Sequence, residues 1–139
     1  MRRFIIDTNL YIDWLNAGKH ESIIFQPDAV KFMSTVVMME LLSGAYSAHD
    51  RTRLHDLFTT FTKLGRIVTP SSATYQEAGD VLRQLQTVHG YHIQKSRSLA
   101  NDVLIALSAR TVGGTVVTQN KQDFLAIQSI RAFKLRLVS

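Results

Sequence analysis

The stretch FIIDTN at residues 4–9 joins a run of apolar, β-favouring residues to a carboxylate, a hydroxyl and an amide. The apolar run predicts a short buried strand over residues 3–6, and the pattern that follows predicts a helix over about residues 9–16. Two interpretations of Asp7 compete at this junction. Either Asp7 caps the helix that follows, or it is one ligand of a metal site built from several strand ends.

The composition of the chain is that of a folded globular protein. Hydrophobic residues make up 45% of the 139 residues and charged residues 19%, which is unlike the composition of a disordered chain. This length favours one domain over residues 1–139. No apolar run approaches the roughly 18 residues that a bilayer span requires, and no charged leader opens the chain. We therefore expect a cytoplasmic protein that does not contact a membrane.

The net charge indicates which binding partners the chain would attract, and the cysteine content limits the kinds of metal site and cross-link that it can form. Sixteen Lys and Arg against eleven Asp and Glu give a formal net charge of +5. This excess would attract polyanions such as nucleic acids, although a solubilising surface charge explains it equally well. The chain has no cysteine, which excludes disulfides and thiolate metal sites.

Strand-like and helical patterns alternate along the chain. Further strands are predicted over residues 30–34, 66–69, 115–118 and 133–138. Apolar residues at helical spacing predict helices from residue 36, over 51–62, from 78 to Gly90, from 101 to Gly113 and over 123–127. Strands separated by helices in this order predict a three-layer α/β/α fold, in which helices cover both faces of a central, mostly parallel sheet.

Acidic and amide side chains follow the predicted strands. Asp7 comes directly after the first strand, and Glu40 lies about one turn into the helix after the second. Asp102 lies in the first turn of the helix before strand 115–118, and Asn120 and Asp123 follow that strand. Because sites on parallel sheets lie beyond the carboxyl ends of the strands, one crevice could gather all five side chains.

Each of these residues, taken singly, also fits a structural role as a helix cap, a helix-dipole charge, a solvated charge or a turn. Their neighbours favour a site. Glu40 and Asp102 are both flanked by apolar residues, so neither belongs to a solvated charged face. Carboxylates that converge without basic neighbours repel one another unless a cation lies between them. An oxygen-only ligand set suits Mg²⁺ or Mn²⁺.

Four segments resemble, in order and in spacing, the successive motifs of the PIN-domain nucleases, and in particular of the VapC-type toxins of toxin-antitoxin pairs. They are FIIDTNLYI (residues 4–12), STVVMMELLSGA (34–45), NDVLIALSAR (101–110) and TVVTQNKQDF (115–124). The resemblance extends from residue 4 to about residue 127. It implies a PIN-like fold and a metal-dependent endoribonuclease, usually a homodimer, which a cognate antitoxin inhibits by filling the active-site groove.

The resemblance also implies which residues form the catalytic centre. Asp7, Glu40 and Asp102 fall on the three principal acids of the family and are expected to bind Mg²⁺ or Mn²⁺. Some members have a fourth acid directly after the strand, where this chain has Asn120. Other VapC-like members have the same Asn-x-x-acid arrangement, so the resemblance implies that Asp123 takes the fourth catalytic role, acting through water. This departure leaves open whether the site holds one metal ion or two.

Hydroxyl and amide groups are expected to hold these carboxylates in place. The candidates are Thr8, Asn9, Thr118 and Asn120, each of which could steady the rotamer of a neighbouring acid. The predicted reaction is the hydrolysis of an RNA phosphodiester by a metal-activated water, which leaves a 5′-phosphate and a 3′-hydroxyl.

The chain also offers candidates for contacts with RNA. Lys95 and Arg97, in the basic loop before Asp102, could contact phosphates, or that loop could simply be solvated. Tyr91 or Trp14 could stack on an unpaired base, although core packing is favoured for Trp14.

Two alternative functions stay open at the level of sequence. A catalytically silent PIN-like module would bind RNA or a protein without cutting. A metal-dependent phosphatase is less favoured, because phosphatases of the haloacid-dehalogenase type need a second aspartate two residues after the first. Asn9 stands at that position here.

Overall fold

The structure, a computed structural model, describes residues 1–92 and 98–139. Within these residues, five strands and seven helices alternate along the chain. The strands are β1 (Arg2–Ile6), β2 (Ala29–Ser34), β3 (Ile67–Val68), β4 (Thr115–Thr118) and β5 (Lys134–Leu137). The helices are α1 (Thr8–Ala17), α2 (Glu21–Ile24), α3 (Thr35–Ser43), α4 (Ala48–Lys63), α5 (Ser72–His89), α6 (Leu99–Thr111) and α7 (Lys121–Ile130).

The five strands form a sheet in the order β3-β2-β1-β4-β5, and every pairing in it is parallel. The chain first moves outward from β1 to β2 and β3, and then crosses back to β4 and β5. Because crossovers between parallel strands are right-handed, α1 to α4 cover one face and α5 to α7 cover the other. The three-layer α/β/α fold is confirmed, and the described sheet is wholly rather than mostly parallel.

The central strands supply the middle of the core. Ile5 and Ile6 of β1, and Val116 and Val117 of β4, are at most 1% exposed, as expected for strands that are covered on both faces. No helix within the described residues combines the length and the apolar character needed to cross a bilayer.

Some element boundaries differ from the predicted ones, for local physical reasons. The helix predicted from residue 78 begins at Ser72, because Ser71 caps it by accepting a hydrogen bond from the backbone N–H of Thr74 at 3.1 Å. The helix predicted from residue 101 begins at Leu99, so Asn101 is not its cap. The short helix α2 was not predicted, since four residues are too few to show helical periodicity.

Candidate active site

Asp7 both caps a helix and faces the carboxyl edge of the sheet. It follows β1 in an extended conformation and is the N-cap of α1. One of its carboxylate oxygens accepts a hydrogen bond from the backbone N–H of Thr8 at 2.8 Å, and the other accepts one from the hydroxyl of Thr118 at 2.6 Å. The two interpretations of the FIIDTN stretch are therefore compatible, because the cap uses one oxygen of a carboxylate that also faces the site.

Glu40 reaches the same edge from α3. Ser34 ends β2 and caps α3, since its hydroxyl accepts hydrogen bonds from the backbone N–H groups of Val36 and Val37. One turn and a half later, Glu40 accepts a hydrogen bond from the Thr8 hydroxyl at 2.7 Å and a longer one from the Asn101 amide at 3.4 Å.

Asn120 links the other two acids of the site. Its side-chain amide donates to Asp102 at 3.2 Å and to Asp123 at 3.1 Å, and its own oxygen caps α7. The hydroxyl of Tyr91, just beyond the end of α5, donates to the second oxygen of Asp123 at 2.9 Å. Asp123 is therefore held between Tyr91 and Asn120. It is connected to Asp102 through the Asn120 amide.

Asp7, Glu40 and Asp102 face an open cavity of about 500 Å³. We call it the acidic crevice, and its polar lining consists of Asp7, Thr8, Asn9, Glu40, Ser43, Ser98, Asn101, Asp102 and Asn120. Ile12 and Met39 add apolar surface at its margin. The crevice opens where the strand order reverses at β1, which is the position expected for a ligand site in a doubly wound sheet.

The acids in and beside the crevice repel one another. Burial, together with the negative charges of Asp7, Asp123 and Glu40, raises the pKa of Asp102 to about 8. Burial also raises the pKa of Asp7, partly offset by its hydrogen bonds from Thr118 and Thr8. In the described part of the chain, no Lys, Arg or His forms an ion pair with any of these carboxylates. The crevice is therefore electrostatically suited to a cation.

The chemistry of the crevice fits a divalent ion, although its present geometry is not that of a preformed site. The available donors are oxygen atoms of carboxylates, hydroxyls and amides, which Mg²⁺ and Mn²⁺ prefer. Over residues 1–92 and 98–139, no three His, Cys, Asp or Glu side chains are grouped closely enough to hold a metal ion. The carboxylates must therefore move closer together for three of them to hold one ion.

The structure brings together most of the residues singled out from the sequence. Asp7, Glu40 and Asp102 line the acidic crevice together with Thr8, Asn9 and Asn120, and Thr118 supports Asp7 from the buried end of β4.

Other candidates from the sequence lie away from the crevice. Asp123 stands behind Asn120 and does not line the cavity. Lys95 and Arg97 lie outside the described residues. Trp14 packs against the core, with its ring edge-on to Phe25 at 5.3 Å.

Sequence reasoning missed the contact between Asn101 and Glu40. The segment before Asp102 suggested a cap, and nothing in its local pattern shows that α6 begins two residues earlier. That earlier start places Asn101 inside the first turn of the helix, from which its amide reaches α3.

Comparisons with known proteins agree with this geometry. The family model for the PIN domain matches residues 4–129. The fold is similar to that in the crystal structure of VapBC2 from Rickettsia felis bound to a promoter DNA fragment, with a TM-score of 0.69, 22% identity and 99% of each chain covered. It is also similar to DNA-bound VapBC from Salmonella typhimurium, with a TM-score of 0.69, 20% identity and 98% of each chain covered.

A third solved structure, FitAcB from Neisseria gonorrhoeae, gives a TM-score of 0.68 at 21% identity, with 95% of each chain covered. We find no significant match among curated protein sequences. At these identities the solved structures establish the fold alone, whereas the family model extends over nearly the whole chain.

Proposed function

The chain belongs to the PIN domain family, and from this premise we propose that it is a metal-dependent endoribonuclease, the VapC-type toxin of a toxin-antitoxin pair. The observation that carries the proposal is the convergence of Asp7, Glu40 and Asp102 on one crevice without a basic partner among the described residues. Such an arrangement is costly for a fold unless a cation offsets the repulsion.

Asp7, Glu40 and Asp102 would hold Mg²⁺ or Mn²⁺. When bound, the ion lowers the pKa of the attacking water and neutralises the charge that grows on the phosphoryl oxygens. Thr118 and the backbone of Thr8 fix the orientation of Asp7, as groups behind metal ligands commonly do.

Asn120 and Glu40 have distinct tasks in this proposal. Asn120 orients Asp102 by donating a hydrogen bond to one of its oxygens, which leaves the other oxygen free of the amide. Glu40 has one oxygen firmly bonded to Thr8 and a second that is bonded only at 3.4 Å. That second oxygen is the better candidate to accept a proton from the attacking water.

The proposed protein partner is inferred from solved structures that are similar to this chain. Two of the solved structures similar to this chain are VapBC complexes bound to DNA, and this supports a cognate antitoxin as the partner of this chain. Exposed apolar side chains lie at the margin of the crevice, since Met39 of α3 and Ile12 of α1 line it and are 54% and 37% exposed. An antitoxin segment that covers them would also block the crevice. We propose RNA as the substrate. We further propose that the protein is a homodimer in the cytoplasm.

The nuclease activity is tested by incubating the purified full-length protein with structured RNA in Mg²⁺, in Mn²⁺ and in EDTA. We expect cutting with either metal and none in EDTA. Asp7→Asn should lower the rate by more than about a hundredfold. The matched control is Asp56→Asn, which makes the same change in charge at an exposed position of α4. Metal-independent cutting, or equal rates in the two variants, would contradict the proposal.

The alternative functions give different results in the same assay. Tight binding of RNA without cleavage in either metal identifies a silent PIN-like module, and release of phosphate from a small phosphomonoester identifies a phosphatase. Toxin status is tested by expression in a bacterial host. Growth should stop with the wild-type chain and continue with Asp102→Ala at equal protein levels.

A further inference from the structure

One face of the sheet carries a row of side chains that no function above uses. Paired residues of neighbouring parallel strands point to the same face. The register therefore aligns Lys31 of β2, Phe4 of β1, Thr115 of β4 and Lys134 of β5 on one face. Arg2 lies two residues before Phe4 and shares this face, as does Arg136, two residues after Lys134 in β5. We call the surface formed by Arg2, Lys31, Lys134 and Arg136 the basic face.

Among the described helices, none covers β5, the edge strand, on this face. The opposite face of β5 is the packed one, because Leu135 contacts the core and the nearby Phe133 lies edge-on to Phe124 of α7. Lys134 and Arg136 therefore point to the α1 to α4 side. Those helices connect β1, β2 and β3, so they lie toward the other edge of the sheet. Lys134 and Arg136 are both exposed.

The guanidinium groups on this face are held in position. The ring of Phe4 is 3% exposed, and the guanidinium carbons of Arg2 and Arg136 lie 5.5 and 5.7 Å from its centroid. Such cation–π contacts orient a guanidinium while its N–H donors stay available. Arg2 also pairs with Asp28 at 3.2 Å, an exposed contact of small strength. At the amino end of β1, Arg2, Arg3 and Lys134 line an open hollow of about 600 Å³.

The distribution of charge over the whole chain favours a polyanionic occupant. Four of the eleven acidic residues lie at or beside the acidic crevice, which leaves seven to balance sixteen basic residues elsewhere. The crevice itself repels phosphate groups when no metal is bound. Affinity for a nucleic-acid backbone must therefore come from surfaces outside the crevice.

We propose that the basic face is a second RNA-binding surface, which holds the phosphate backbone of the substrate while the acidic crevice cuts it. The proposal rests on the proposed function, because that function supplies RNA as the polyanion. Through β4, Lys134 and Arg136 align with Phe4 and Ile6 of β1, and Ile6 directly precedes Asp7. The exposed cations of β5 therefore lie two strand spacings, roughly 10 Å, from the strand that leads into the crevice. Even a short RNA hairpin is longer than this, so one folded RNA can contact both surfaces.

The test is a double variant of the exposed cations of β5, Lys134→Gln with Arg136→Gln. Its matched control is Lys63→Gln with Arg83→Gln, which removes the same charge from exposed positions of α4 and α5. Binding of a fluorescently labelled RNA hairpin is followed by anisotropy in EDTA over a series of salt concentrations, and thermal melting confirms that both proteins fold.

Loss of two phosphate contacts should weaken binding roughly tenfold to fiftyfold at about 0.1 M salt. It should also reduce the slope of log K against log salt by roughly 1.4 to 1.8. The control should stay close to the wild type. Equal losses in the two double variants, an unchanged salt slope, or no binding of the hairpin by the wild type in EDTA would overturn the proposal.

Cleavage assays separate this proposal from the proposed function. In Mn²⁺, the β5 double variant should cut a short RNA fragment with an unchanged kcat/KM and should cut the hairpin with a raised KM. If no RNA is cut by any of the proteins, the nuclease proposal fails, and the anisotropy measurement still decides whether the basic face binds RNA.

Discussion

Asp102 lies in the first turn of α6 with 5% of its surface exposed, and its surroundings favour the neutral form of its carboxyl group. Burial, first, and the charges of Asp7, Asp123 and Glu40 together raise its pKa to about 8. The folded protein therefore binds the proton of Asp102 more tightly than the unfolded chain does. The resulting stabilisation is complete below the unfolded pKa of about 4 and is lost as the pH rises through about 8.

Asp102→Asn should for this reason stabilise the metal-free protein at high pH. The free energy of unfolding of the wild type should fall, relative to that of the variant, by up to about 1.4 kcal/mol per pH unit between about pH 5 and pH 8. The measurement is denaturant unfolding in EDTA across this range. Asp56→Asn at an exposed site of α4 is the control and should run parallel to the wild type. Parallel curves for all three proteins would contradict the expected repulsion.

Tyr91 is a positioning residue in the proposed nuclease. Its hydroxyl donates to Asp123, which Asn120 connects to Asp102. Burial and the hydrogen bond to Asp123 raise the pKa of Tyr91 to about 12, so the phenol keeps its proton and remains a donor. Tyr91→Phe should lower kcat about tenfold to a hundredfold, with KM for RNA unchanged. A raised KM with an unchanged kcat would instead indicate that the Tyr91 ring stacks on a base.

The control for this variant is Tyr75→Phe, which removes a hydroxyl from an exposed tyrosine in the first turn of α5. Its kcat and KM should both match those of the wild type. Asp123→Asn combined with Tyr91→Phe should cost little more than either change alone, because both act through the same hydrogen-bonded group.

At the scale of elements, the periodicity of apolar residues and the polar residues at strand ends predict the strands and the position of the site. They do not predict the individual contacts. The apolar run ending at Asp7 and the run ending at Thr118 predict β1 and β4 closely, since buried parallel strands are continuous in their apolar pattern. The rule that sites lie at carboxyl ends then brings the acids together without any coordinates. The bonds from Thr8 to Glu40 and from Asn120 to Asp102 could not be predicted, because they depend on how separate elements are rotated against one another.

Helix α3 carries Glu40 into the crevice, so its N-cap should matter for activity as well as stability. Ser34 is fully buried, and its hydroxyl accepts from Val36 at 3.1 Å and from Val37 at 3.4 Å. Ser34→Ala should lower the free energy of unfolding by about 1 kcal/mol. It should also reduce metal-dependent cleavage. Loss of the cap loosens the first turn of α3, and Glu40, one turn further along the helix, is then positioned less firmly.

Ser47→Ala is the matched variant, because Ser47 caps α4 through the backbone N–H of Asp50 at 3.0 Å. It should cost a similar free energy of unfolding, measured by urea denaturation, and leave the cleavage rate unchanged, because α4 contributes no residue of the catalytic set. If the two cap variants lose activity equally, Ser34 acts only through global stability.

At the scale of the whole molecule, the switch in strand order at β1 positions both the acidic crevice and the basic face. The segments after β1 and β4 open the acidic crevice at the carboxyl end, and the same reversal leaves the edge strand β5 without a covering helix, among the described ones, on the α1 to α4 side. Composition reports the resulting charges only as a sum of +5. The sequence therefore could not show that acids gather at the carboxyl edge of the sheet while bases gather on one of its faces, since this requires the strand order and the register.

Metal binding should stabilise the whole folded protein, and this effect can be measured without RNA. Any ion that binds the folded state alone stabilises it, by about 2.7 kcal/mol when the free ion is a hundredfold above its Kd. Mn²⁺ should therefore raise the Tm of the wild type at pH 8, and EDTA should reverse the rise. Asp7→Asn and Asp102→Asn should each reduce or abolish it, whereas Asp56→Asn should retain it. Sodium chloride at matched ionic strength controls for screening, which by itself relieves some repulsion among the acids. A Tm that rises equally in all four proteins would place the ion outside the acidic crevice, and the carboxylates there would then lack the counter-charge that the nuclease requires.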